Sequence, residues 1–173
     1  SHIEKFICKN KKIECYIKGK VNYSLFPSPR IKIKNLIIKE ATDSKVNLLT
    51  VEKVSIKLSI KNLLAREKHK FKKVLLNNYE ANINLNKFKN YENFFSKETN
   101  FIPLIFNKGK ILFYNKKNYV GTISDARIKV KYLENLVEAK LEGKFLNDDI
   151  TIKFENKNID NEKLTDITLK MKN

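Results

Sequence analysis

Acid–base chemistry near neutral pH has little to draw on in this sequence, because it holds only two histidines, His2 and His69. Ser1 and His2 open the chain without an initiator Met and read as a cloning remnant. His69 then stands alone in Lys68-His69-Lys70, where its ordinary place is a charged loop entering a strand. Neither a paired imidazole acid and base nor a His-rich metal site can be assembled from it. Asp148-Asp149 is the one adjacent carboxylate pair, but its setting between two strand-like runs reads as a solvated turn. No Walker loop, GxGxxG or GxSxG occurs, so phosphate cradling and nucleophile-elbow chemistry are unsupported. The expectation is a non-enzymatic chain with no cofactor and no metal.

Cys8 and Cys15 are the only cysteines, and their spacing of seven fits no CxxC redox or zinc motif. A tight hairpin around Lys11-Lys12 would set them opposite each other, within reach of a disulfide. A helix over Ile3–Lys9 would part them and leave two small buried apolar residues. Spacing alone leaves both open.

The 173 residues are enough for one domain or a piece of a longer repetitive protein. A 42% hydrophobic content supports a packed core, and no apolar run approaches the about 18–20 residues of a membrane-spanning helix. Lys+Arg 36 against Asp+Glu 19 gives a net charge of +17, which would suit a nucleic acid or an anionic surface. Only Arg30, Arg66 and Arg127 are arginines, however, and arginine is the residue that forks onto phosphates and guanine edges. Lys, Asn and Ile are over-used together, the mark of AT-rich codons, and the lysines are spread along the chain. No nucleic-acid partner is expected.

The elements that would position any site follow a period of two. Val54, Ile56, Leu58 and Ile60 alternate with Lys53, Ser55, Lys57 and Ser59. Tyr79, Ala81, Ile83 and Leu85 do the same, as do Ala126, Ile128, Val130 and Tyr132. Val137, Ala139, Leu141 and Phe145 follow, then Ile150, Ile152 and Phe154, then Ile167, Leu169 and Met171. Turns are expected at Asn115 to Asn118, at Asn147-Asp148-Asp149 and from Asn156 to Asn161. Within Ile31 to Ile38 the apolar phase slips from odd to even, which a β-bulge at Lys34–Asn35 would explain.

The pattern predicts a mainly β fold: a mostly antiparallel sheet with one apolar face, curved into a partly closed barrel where it buries that face itself, with about three short helices. Those helices are expected over Ile3–Lys9, over Asn62–Arg66 and over Tyr91–Lys97 behind Asn90 as N-cap. Three short helices cannot cover the apolar face of eight or more strands. That face must be buried by curling, by a partner, or by something that is not protein.

Residues Ile17 to Leu36, with Gly19, Leu25-Phe26-Pro27 and the strand ending at Asn35-Leu36, resemble the N-terminal region of the AsmA family. Asn47 to Leu64 resembles that family's next strand closing in a Leu-Leu turn, and Val74 to Leu85 its following strand pair. Asn90-Tyr91-Glu92-Asn93-Phe94-Phe95 sits where the family has an Asn-Trp helix start, and Asn107 to Ile111 resembles a later Asn-Gly-x-Ile strand. Two departures are the missing glycine after the Leu-Leu turn, at Ala65-Arg66-Glu67, and the aromatic run in place of tryptophan.

The resemblance implies a domain on the periplasmic face of a bacterial inner membrane, held by an N-terminal anchor absent from this chain. It implies a curved sheet shaped as a groove, kinship with chorein-type bridge-like lipid-transfer proteins and a part in outer-membrane lipid homeostasis and assembly. Residues 1–105 would form the AsmA-type β unit with short helices, and 106–173 a continuing β-meander of the same sheet, in a fragment of a longer protein. The expected partner is a phospholipid or other membrane lipid, with acyl chains in an apolar β-groove. Each buried methylene would contribute about 0.8 kcal/mol without any directional site. Candidate groove residues are Val54, Ile56, Leu58, Tyr79, Ala81, Ile83, Ile128, Val130, Leu141 and Phe145, with Phe94 and Phe95 as a plug at one end. The alternative is a periplasmic scaffold with a self-closed core and envelope protein partners. Strand edges near Leu169–Met171 further suggest edge-to-edge self-association.

Overall fold

The structure, a computed structural model, describes residues 14–40, 43–59, 71–87, 103–133, 136–159 and 162–172. The alternating runs form ten strands: β1 (Cys15–Ile17), β2 (Val21–Ser24), β3 (Arg30–Glu40), β4 (Asp43–Leu58), β5 (Phe71–Asn84), β6 (Leu104–Asn115), β7 (Asn118–Leu133), β8 (Leu136–Phe145), β9 (Asp148–Ile159) and β10 (Glu162–Lys172). All ten lie in a single curved sheet that does not close. Its order is β1-β3-β4-β5-β6-β7-β8-β9-β10, with β2 also on β3. Every pair is antiparallel except β5 and β6, which run parallel with Val74 opposite Leu104. Strand β6 spans the division expected at residues 105 and 106 and pairs on both sides, so one sheet runs across that point.

Register turns the alternation into rows. Val21, Ile33, Val54, Leu76, Phe106, Ile128, Leu141, Ile152 and Leu169 are successive partners from β2 to β10. A second row, Tyr23, Ile31, Ile56, Val74, Leu104, Val130, Ala139, Phe154 and Ile167, runs beside it. Residues paired across strands share a face, so both rows lie on one side, and every member is apolar.

The phase slip in β3 is real, but it is not the expected bulge. Lys34 pairs with Lys53 and Leu36 with Val51 in unbroken register. Instead β4 slips at the same level, and the neighbouring strands slip with it. Ile33/Leu36, Val51/Val54, Leu76/Tyr79, Phe106/Gly109 and Ile123/Ala126 each place two inward residues three apart, with two polar residues between. Asn35, Asn78, Lys108 and Asp125 hold left-handed backbone there, at φ of 54°, 54°, 53° and 48°. Asn and Asp tolerate that region best among residues with side chains. The slips line up from β3 to β6 and are followed one step on by that of β7, where the register shifts on both sides of Gly109, and together they crease the sheet. The crease ends in a bulge, where Asp125 and Ala126 of β7 oppose Gly143 of β8.

Two glycines make the crease packable. The ring of Tyr79 lies over Gly109, where a Cβ would sit within 2.1 Å of it. At Gly143 a Cβ would meet Ile123 Cγ2 at 2.6 Å and the Ser124 carbonyl oxygen at 2.8 Å.

The three helices expected from the sequence fall on segments 3–9, 62–66 and 91–97. All three segments lie outside the described residues, which hold no α-helix and a single 3-10 turn, Leu85–Lys87. Leu85, read as the end of a strand, is in that turn and exposed. Two segments expected as turns also belong in part to strands. Leu146-Asn147 joins β8 to β9, with both residues at positive φ and Asp148-Asp149 already in β9. At the other end β9 continues through Asn156 to Ile159, because cross-strand pairing outweighs the weak strand preference of Asn and Lys.

Gly109→Ala forces a methyl into the Tyr79 ring and is expected to cost about 2 kcal/mol, the range of core overpacking. In a Tyr79→Leu background the same change should cost far less. Urea denaturation of the four proteins of this cycle measures the coupling, and equal costs in both backgrounds would refute the ring-on-glycine contact.

Candidate functional site

The apolar face of the sheet carries a single hydrophobic cluster drawn from most of the strands. All ten candidate groove residues lie on that face. Val54, Ile56, Leu58, Tyr79, Ala81, Ile83, Ile128, Leu141 and Phe145 join one contiguous cluster, and Val130 is buried on the same face. Phe94 and Phe95, as well as His69, lie outside the described residues.

The candidate set omits Ile33, Leu36, Val51, Leu76, Ile111, Ile123 and Ile150, all buried in the same face. The signal for several of them was present. The motif apolar-polar-polar-apolar recurs in five successive strands, but a strict period of two ends a strand at each slip instead of carrying it across.

Burial is graded along the face. Val51 in β4 is 2% exposed, whereas Ile167 in β10 is 67% exposed, with Leu169 and Met171 also open to solvent. The creased strands hold the buried part. Strands β8 to β10 keep strict alternation, and β10 carries the exposed apolar end. Among the described elements, substantial contacts join only neighbours in the sheet and the 3-10 turn to β6. No described strand therefore stacks over this face.

Tyr79 sits at the centre. Its hydroxyl donates to the carbonyl oxygen of Ala126 at 3.3 Å, and its ring meets Phe106 edge-on at 5.2 Å. Burial pushes its phenol well above the ordinary value of 10.0.

The opposite face is polar and basic. Lys129, Lys140 and Lys153 are successive partners on β7, β8 and β9, and Lys57 opposes Lys73. The Lys140 ammonium bonds Glu142, holding that carboxyl below the usual range. At the crease Asn78 Nδ2 donates to Glu52 Oε2 at 2.6 Å, which lowers the Glu52 carboxyl. Lys108, Asp125, Arg127, Glu142, Lys144, Asp149 and Lys172 border a shallow open depression of about 460 Å³. Its mixed charges select neither anion nor cation. Asp148 is half-buried beside Phe145, outside that depression, so the two aspartates do not converge. Among the described residues no group of three His, Cys, Asp or Glu could hold a metal ion, and no helix is long and apolar enough to cross a membrane. Cys15 is disulfide-bonded.

No protein-family model matches the chain, and no curated protein matches it.

The raised phenol links stability to alkaline pH. Its folded-state stabilisation is complete below pH 10.0 and is lost as pH climbs above that value. Tyr79→Phe should cost about 1 kcal/mol at neutral pH through the lost hydrogen bond. It should also flatten the loss of stability above pH 10.0. Parallel stability curves for the two proteins at alkaline pH would show that Tyr79 is not the group that titrates.

Proposed function

We propose that this chain is a non-enzymatic cell-envelope domain that binds or conducts lipid acyl chains along its apolar face. The observation that carries the reading is the pair of unbroken apolar rows from β2 to β10, set on a sheet whose two edges do not meet. Acyl chains need continuous apolar surface and no directional partner, and these rows supply it. The exposed end at Ile167, Leu169 and Met171 is where a chain would enter from solvent. Buried residues such as Val54 and Tyr79 then serve as the floor that fixes the curvature.

The resemblance to the AsmA family supports the same reading and supplies its setting: the periplasmic face of an inner membrane, in lipid traffic toward an outer membrane. The disulfide at Cys15 fits that setting, since such bonds persist in oxidising compartments. A periplasmic scaffold is favoured by a different observation, that the middle of the face is already buried in this chain.

Organic extraction and mass spectrometry of protein purified without detergent should return phospholipid at near-stoichiometric yield, against an empty mock purification. Phe154→Glu, which puts a charge into the second row on β9, should cut that yield several-fold while circular dichroism stays β-rich. No lipid in the parent protein would transfer the assignment to the scaffold.

The compartment has its own test. Alkylation of the unreduced, unfolded protein should add no label to Cys15, and reduction should expose two thiols, the full cysteine complement. Two free thiols before reduction would remove this support for an oxidising compartment.

A further inference from the structure

The turn between β2 and β3 carries an apolar tip that the groove does not use. Leu25 and Phe26 are 70% and 87% exposed there, and Tyr23 just before them is exposed as well. An exposed phenylalanine beside an exposed leucine is costly in water and marks a surface meant to be covered.

The tip is built rather than slack. Ser24 Oγ donates to the Phe26 carbonyl oxygen at 3.0 Å, and Arg30 Nε and Nη2 donate to the Ser28 carbonyl and Oγ, each at 3.2 Å. At its base the Leu58 amide donates to the buried Pro29 carbonyl at 2.9 Å. Carbonyls satisfied inside the loop need not be stripped of water when the tip enters an apolar medium.

Along the segment that carries the tip, charge has one sign. Between Glu14 and Glu40 the sequence holds no carboxylate, while Lys18, Lys20, Arg30, Lys32, Lys34 and Lys39 all fall in that interval. Lys20 and Lys32 are exposed on the hairpin that carries the tip. An apolar wedge rimmed by cations matches a bilayer with anionic headgroups, acyl region for the wedge and phosphates for the rim.

We infer that Leu25 and Phe26 insert into the surface of an anionic lipid bilayer, with Lys20 and Lys32 at the headgroups. The placement also serves the proposed function, on which it does not depend. Tyr23 opposes Ile31, and Ile31 opposes Ile56, so the second apolar row begins beside the tip and would abut the docked membrane.

The chain has no tryptophan, so Phe26→Trp installs a single reporter at the tip. Vesicles of mixed phosphatidylglycerol and phosphatidylethanolamine should shift its emission to the blue, and brominated acyl chains should quench it. The double variant Leu25→Ser with Phe26→Ser should lower vesicle partitioning roughly tenfold or more, since each residue loses the burial of an apolar side chain. Lys20→Glu with Lys32→Glu should abolish the preference over phosphatidylcholine vesicles and flatten the salt dependence. Absence of a blue shift overturns the inference, as would be expected of a tip that fits another protein. Partitioning unchanged by the double serine variant overturns it too, because another surface would then hold the membrane. A blue shift together with no extractable lipid would sink the groove reading and leave the docking tip standing.

Discussion

A sheet strand cannot change face alone. With a side-chain period of two, a slip in one strand would turn the rest of its apolar residues toward solvent while its neighbours kept theirs inward. Here β3, β4, β5 and β6 slip at one level and β7 one step further on, opposite Gly109 and Ile111, so the rows above and below the crease stay apolar on the same side. Left-handed Asn35, Asn78, Lys108 and Asp125 make the turn in four of these strands. The curvature, the buried cluster and the position of Tyr79 over Gly109 all follow from that concerted slip.

The crease also explains why burial is uneven. Where strands bend together, inward side chains from both halves converge, and Ile33, Val51 and Ala126 become almost fully buried. Strand β8 keeps its alternation, and β7 absorbs the mismatch in a bulge against Gly143. Beyond that point the register runs without a shift, and by β10 the inward residues are open. The same apolar alternation thus gives a closed floor on one side and an open shelf on the other. That division fits a lipid-binding surface better than a uniform core would, because a floor without an opening admits nothing.

Much of this was legible in the residues. Alternation placed β8, one half each of β4, β5 and β7, and the inward residues of β9 and β10, and the slip at Lys34–Asn35 was visible as a phase change. Its nature was not, because one strand read alone cannot distinguish an inserted residue from a bend shared with neighbours. The distinction rests on register, a long-range property. The parallel pairing of β5 and β6 was hidden for the same reason. Candidate residues such as Val54 and Ile56 were found because they lie inside uninterrupted runs. Ile33, Val51 and Leu76 were missed because each borders a slip, where alternation stops.

Rows of side chains running across the strands give the apolar face its direction. Each strand added in the hydrogen-bonding direction extends a row by one residue, about 4.8 Å, and needs only one apolar residue at the right register position. A continuous track can therefore be written in a lysine- and asparagine-rich composition, since the alternate positions and the crease are free to be polar. The lysines are then the solvated complement of the track, facing away from it in rows such as Lys129, Lys140 and Lys153. Neither surface depends on a particular functional group, which is why an inventory of catalytic residues says so little about this chain and the register of its strands says so much.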